Sequence, residues 1–256
     1  KGELYDFMRQ SKRGKVFVDA NNPHLMGIAE GLDLVTYGTP ARPNLFVSGK
    51  VVSAAPFLRF AWQRQGGAWN EVQTHLVGAY NVLNMLAALS VGLFLGVSAE
   101  EANRALANYV PSNNRSQLEE TAHNKLIMDA YNANPDSMRA GVSALIDATS
   151  KKTWAVLGQM NELGEDADAE HRKLGEYLAE RGVDTLVAVG TSAQIEALAN
   201  SAREHGVHTL MASDVQQAVD LVQAELAPGD AVLVKASYSD SLWRVAEGLM
   251  QLRRSE

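Results

Sequence analysis

From residue 124 onward the sequence repeats one unit: a short run rich in Val, Ile and Leu, a loop with Gly or Asn, then a stretch with helical spacing. The runs are LIMDA (126–130), TWAVLG (153–158), DTLVAVG (184–190), VHTLM (207–211) and DAVLVK (230–235). Strands that are apolar on both faces need cover on both, and parallel neighbours need a crossover helix. Strict alternation therefore predicts a largely parallel sheet with helices on both sides. Val215, Ala218, Val219, Val222 and Leu226 place one apolar stripe against such a sheet. Thr191 with Gln194, and Ser213 with Gln216, fit the capping box, in which two side chains satisfy orphan backbone donors. Pro228-Gly229-Asp230 is expected to turn the chain from a helix into the last strand.

Residues 1–110 are less regular. The pattern predicts a helix over 3–10, a strand at 15–20, a turn at Asn21-Asn22-Pro23 and a strand near 34–37. Two or three strands follow between Asn44 and Leu76, with Gly49-Lys50 and Gly66-Gly67 as hairpin turns. An apolar helix from Ala79 to Leu95 is closed by Gly96, and Ser98 with Glu101 caps the next, which runs to about Asn108. Pro, Ser and Asn cluster in VPSNNRS (110–116), which sets two domains at 1–112 and 113–256.

The charge is divided unevenly. Residues 1–112 carry 10 Lys+Arg against 8 Asp+Glu, the remainder 13 against 22, for a net −7. A field of that sign repels a polyanion, so nucleic acid is not an expected partner. The chain has no cysteine, which excludes disulfides and thiolate metal sites and points to the cytoplasm. The longest nearly apolar stretch, Met85 to Val97, falls short of the roughly 20 residues of a membrane span. The start, KGELYDFMRQSKRGK, lacks the continuous apolar core of a signal peptide and an initiator methionine, so the numbering is expected to begin inside a longer chain.

Three segments carry candidate chemistry. DAYNANPDSM (129–138) sits where a parallel strand gives way to a helix, the place where open sheets bind ligands, and Asp129 there can reach a ribose, a phosphate or a metal. Spacing alone favours the other reading, in which Asn132, Asn134 and Asp136 make a turn and cap the helix behind Pro135. In GAYNVLNMLAAL (78–89), Asn81 and Asn84 share one face near a helix start, either as a paired carboxamide edge for adenine or as an ordinary polar first turn. VLGQMNELG (156–164), followed by His171, has two glycines that either admit a ligand to the backbone or shape a loop. His205 and His208 lack a third metal ligand nearby in sequence. There is no GxxxxGK[ST] phosphate loop, no HExxH and no GxSxG.

Together these segments resemble the Mur ligases of peptidoglycan synthesis, most closely the members that join D-Ala-D-Ala to UDP-MurNAc-tripeptide. The resemblance rests on KGELYDF (1–7), GAYNVLN (78–84), NNRSQ (113–117), DAYNANPDSM (129–138), GQMNELG (158–164) with His171, and LVKAS (233–237), in that order. It implies an α/β chain made of the later part of a central ATPase-type domain and a whole Rossmann-like, doubly wound C-terminal domain. A UDP-sugar domain and the phosphate-loop half of the central domain would lie upstream. The family usually has His where this chain has Tyr80, GDM where it reads Gly158-Gln159-Met160, and KGSR where it reads Lys235-Ala236-Ser237-Tyr238.

The resemblance also implies roles. Asn81 and Asn84 would hold the adenine of ATP, Arg115 its phosphates, and Asp129 with Asn132 its ribose or phosphate side. Lys1, once carbamylated, would help hold a second Mg²⁺ and serve catalysis with Arg115. On the C-terminal sheet, Gly190, Thr191, Ser192 and Lys235 are expected to receive D-Ala-D-Ala. The implied chemistry is ATP-dependent amide formation through an acyl phosphate, by a cytoplasmic monomer. Without a phosphate loop the chain by itself is expected to be inactive. A folylpolyglutamate synthase-like ligase, or a non-catalytic binding or scaffold protein built from these domains, remains an alternative at this point.

Overall fold

The structure is a computed structural model of the chain and describes residues 2–11, 14–111, 116–121, 123–149 and 151–251. The chain divides into two compact units: one runs through His75 and resumes over Ala79–Tyr109, and the other combines Leu76–Gly78 with everything from Val110.

The first unit begins with helix α1 (Gly2–Ser11), strand β1 (Val16–Asp19), short helix α2 (Pro23–Gly27) and strand β2 (Leu34–Gly38). Strands β3 (Val47–Ser53), β4 (Arg59–Arg64) and β5 (Asn70–Gln73) complete a sheet of order β1-β2-β3-β4-β5. Its first three strands are parallel and its last two antiparallel. Helices α3 (Asn81–Phe94) and α4 (Ala99–Asn108) follow, and α4 carries the expected Ser98–Glu101 capping box.

Two expectations for this unit change. The turn at residues 21–23 is the start of α2, where Asn22 accepts a hydrogen bond from Leu25 N and Pro23 occupies the first turn, its missing N–H costing nothing there. Gly49-Lys50 is no turn; it lies within β3, where a Cβ on Gly49 would come 2.7 Å from Leu86 of α3. The glycine serves close packing of helix on sheet, while the other expected hairpin turn, Gly66-Gly67, forms between β4 and β5 with Gly66 at φ +72°.

In the second unit the order is β6 (Gln117–Glu120), β7 (Lys125–Asp129), α5 (Pro135–Ala148), β8 (Thr153–Leu157), α6 (Ala167–Glu180), β9 (Thr185–Val189), α7 (Ala193–Glu204), β10 (His208–Ala212), α8 (Val215–Glu225), β11 (Ala231–Lys235) and α9 (Trp243–Gln251). The sheet order is β10-β9-β8-β11-β7-β6, parallel throughout except for the edge strand β6. Alternation along the strands separates two faces. Leu126, Met128, Trp154, Val156, Val187, Val189, Val232 and Val234 share one core cluster with Ala218, Val219 and Val222 of α8 and Val245, Ala246 and Leu249 of α9. The opposite parity faces α5, where Gly141 lies against Leu233 and the stem of Lys235. Inserting β11 between β8 and β7 brings the ends of the strands from 129, 157 and 235 side by side, though they lie far apart in sequence.

In place of both predicted capping boxes in this unit, an N-cap forms one residue further on. Ser192, not Thr191, caps α7 by accepting from Ile195 N, and Asp214, not Ser213, caps α8 by accepting from Gln217 N. An N-cap needs extended backbone and a side chain that reaches the third helical N–H, and it is Ser192 (ψ 158°) and Asp214 (ψ 176°) that meet both conditions. Gln194 and Gln216 bond instead to Asp168 and Asp220.

Candidate functional site

At the carboxyl edge of the second sheet, β7 ends in Asp129 and β11 in Lys235, which are register partners on adjacent parallel strands. Lys235 is only 1% exposed, and its Nζ donates to Asp129 Oδ2 (2.5 Å), Asn132 O (3.0 Å) and Asp129 O (3.4 Å). Three acceptors match the three N–H groups of an ammonium. The other carboxylate oxygen, Asp129 Oδ1, accepts from Ser116 N (3.2 Å), which ties the start of this unit to the end of β7. Asn132 accepts from Ala133 N, and Asn134 forms the helix cap with Ser137, so the turn reading of Asn134 holds and leaves the Asp129 carboxylate at the strand end.

One strand over, the loop after β8 is fastened to the loop after β11. Gly158 N donates to Lys235 O (3.0 Å), Gln159 N to Asp240 Oδ2 (2.9 Å), Asn161 N to Ser237 Oγ (3.2 Å), and Ser237 N to Gln159 O (3.2 Å). Gly158 is required by close packing: an added Cβ would lie 2.7 Å from both Ala236 Cβ and Asp240 Oδ2. The fully buried His171 of α6 pins the same loop, since its Nε2 accepts from Met160 N (3.0 Å) while Nδ1 meets Ala167 O (2.7 Å). An acceptor at Nε2 and a carbonyl at Nδ1 specify the neutral Nδ1–H tautomer. Burial agrees, holding the imidazole below its ordinary pKa against the opposing pull of the Ala167 carbonyl and of Asp168, Asp240 and Glu170. Burial likewise raises the carboxyl of Asp240 above its usual range, opposed by the Gln159 N–H and Ser239.

Further along the edge, a cleft of about 360 Å³ opens between the starts of α7 and α8, lined by Gly190, Thr191, Ser192, Gln159, Asp214 and Asp240 among others. Gly190 takes φ +129°, and Thr191 is exposed. The structure thus brings Gly190, Thr191 and Ser192 together but not with Lys235, whose charge is committed two strands away to Asp129 and Asn132. In this structure Lys235 stands two strands from Thr191, with its side chain against α5.

In the first unit, Asn84 Nδ2 donates to Asn81 Oδ1 (2.9 Å) at the start of α3, with Asn81 buried and Asn84 exposed. A carboxamide locked by its neighbour offers amide donor and acceptor groups in fixed orientation, which suits an adenine edge. Lys1 and Arg115 lie outside the described residues. Among the described residues, no three His, Asp or Glu side chains are grouped to hold a metal ion. His205 instead bonds Ser201 O, and His208 lies 3.9 Å from Glu225. Also among the described residues, no helix is long and apolar enough to cross a membrane.

Sequence reasoning missed Asp240, Ser237 and Ser116. Nothing in SYSDS (237–241) distinguishes a loop fastener from a polar turn, and Asp240 is far in sequence from the amide of Gln159 that it holds.

The two units define an α/β protein whose second unit is a doubly wound, Rossmann-like domain with polar loops at the carboxyl edge. The chain belongs to the Mur ligase family, and residues 114–238 match the Mur ligase, glutamate ligase domain. It is 36% identical over 234 residues to the UDP-N-acetylmuramoyl-tripeptide--D-alanyl-D-alanine ligase of Mycobacterium leprae, covering 83% of this chain and 45% of that protein. In three dimensions it is similar to MurF from Acinetobacter baumannii, with TM-score 0.81 and 25% identity over 98% of this chain and 54% of the other. The fold also matches MurF ligase from Thermotoga maritima, determined in complex with ADP, with TM-score 0.82 at 21% identity over 98% and 56% of the two chains. The chain therefore spans about half the length of the relatives it matches.

Proposed function

We propose that this chain is the later part of an ATP-dependent ligase that joins D-Ala-D-Ala to UDP-MurNAc-tripeptide in the cytoplasm. Residues 1–112 would serve as the last part of the ATP-binding domain and 113–256 as the C-terminal domain. The observation that carries this reading is the similarity to the mycobacterial ligase over 83% of the chain, which takes in both units. The carboxyl-edge loops support it, because that edge is where doubly wound sheets receive ligands.

In this reading the tripeptide carboxylate takes the γ-phosphoryl group of ATP, and the amine of D-Ala-D-Ala then displaces phosphate from the acyl carbon. Asn81 and Asn84 orient the adenine, and Asp129 with the turn at Asn132 meets the ribose or phosphate side. Arg115 meets the phosphates, and Lys1 the metal site. The cleft at Gly190, Thr191 and Ser192 takes the dipeptide carboxylate, where the first turn of α7 contributes partial positive charge. The loop fastened by His171 and Asp240 keeps Gln159 at the rim of that cleft.

The test is an assay of the full-length protein for ADP release that requires both UDP-MurNAc-tripeptide and D-Ala-D-Ala. Release that follows folate and glutamate instead would replace this reading with a folylpolyglutamate synthase-like one. The 256-residue chain alone should release no ADP, since the sequence has no phosphate loop to supply backbone amides around the phosphates.

A further inference from the structure

We propose that Lys235 is a positioning residue for the nucleotide side of the site, acting through Asp129 and the turn at Asn132 without touching substrate. This rests on the ligase reading above. All three of its donors are engaged within the protein, and the side chain is enclosed, with its Cδ close to where a Cβ on Gly141 would stand. An external carboxylate could reach this ammonium only by breaking a buried ion pair. What Lys235 does control is the residue opposite it. It fixes one oxygen of Asp129 while Ser116 N fixes the other, and its bond to Asn132 O sets the path of the backbone leaving β7. The Asp129 side chain keeps 12% of its surface exposed, so the held carboxylate still has an accessible face. A charge-assisted bond on each oxygen leaves little freedom of rotation, which is the condition for a group that must meet a ligand in one orientation.

The experiment compares Lys235→Met, Asp129→Asn and the double variant in the full-length ligase. Lys235→Met keeps the stem and should raise KM for ATP about tenfold, the loss of roughly one charge-assisted contact, with KM for D-Ala-D-Ala within about twofold of wild type. The double variant should fall short of the two single effects combined, because the part of the effect that acts through Asp129 is lost with its partner. A raised KM for the dipeptide, wild-type kinetics, or an effect that adds in full to that of Asp129→Asn would each overturn the proposal. If Lys235→Met does not fold, the double variant decides, since it leaves neither charge buried alone. Amide hydrogen exchange over residues 129–134 of the double variant gives a readout that needs no substrate. It should rise above wild type, and unchanged exchange counts against the proposal even if the ligase reading fails. Failure of the ligase reading itself would appear in the wild-type enzyme, as absence of dipeptide-dependent ADP release.

Discussion

Lys235 Nζ lies 2.5 Å from Asp129 Oδ2, joining two residues that are partners in the register of adjacent parallel strands and are separated by 106 positions in sequence. With side chains 1% and 12% exposed, the pair is shielded from solvent. Removing one partner strands the other's charge in the protein. Lys235→Ala should therefore cost about 3–5 kcal/mol of stability in urea unfolding, while the neutral pair Asp129→Asn/Lys235→Met should cost clearly less. Equal losses in the two would show that packing, not charge, holds this edge.

His171 should make stability depend on pH. Its folded pKa lies below the ordinary value because burial disfavours the imidazolium, so as pH falls below about 6.5 the unfolded chain takes up the proton first. Stability is full above that pH and declines below it until the folded pKa is reached. Asp240 runs the other way, since a raised carboxyl favours the folded state at more acidic pH. His171→Gln should flatten the melting-temperature profile between pH 7 and 5 relative to wild type; an unchanged slope would remove His171 as its cause.

Gly158→Ala tests the fastening of the two loops. The new methyl would meet Ala236 Cβ, which cannot rotate away, and the Asp240 oxygen that accepts from Gln159 N. Overpacking of this kind costs about 1–3 kcal/mol. Amide exchange at Gln159 and Met160 should rise more than at Leu186 or Val187 on β9; uniform exchange would place the strain elsewhere.

Ser192 and Thr191 are adjacent but should behave differently. Ser192→Ala removes the cap of α7 and should cost about 1 kcal/mol, whereas the exposed Thr191→Ala should stay within about 0.5 kcal/mol of wild type. If the cleft takes the dipeptide, Thr191→Ala raises KM for D-Ala-D-Ala with ATP unaffected. A change confined to ATP would move the dipeptide to another place.

Asn84→Ala should raise KM for ATP by about tenfold with kcat little changed, as expected for a contact made equally in ground and transition states. Because Asn84 is exposed, its loss should leave thermal stability near wild type. A fall in kcat alone would contradict adenine contact.

Much of this is legible in the sequence. The two-faced apolar runs predicted the parallel strands, and Ser98 with Glu101 predicted a capping box that forms as read. The misplaced caps at Thr191 and Ser213 show where local pattern stops. Neighbouring hydroxyl, amide and carboxylate side chains compete for the same first-turn donors, and backbone angles decide among them. Gly49 likewise looked like a turn because the sequence does not show Leu86 packed above it.

By itself the sequence determined the alternation of strands and helices, the family resemblance and the residues with candidate chemistry, because these depend on spacing within a few positions. Tertiary structure decided what those residues do to one another. Strand order set β11 between β7 and β8, which placed Lys235 beside Asp129 and two strands from the cleft at Gly190. The same strand order brought Asp240, 81 positions away in sequence, onto the loop that His171 holds from the following helix. Such contacts follow from the order in which strands pair, which no local run of residues encodes.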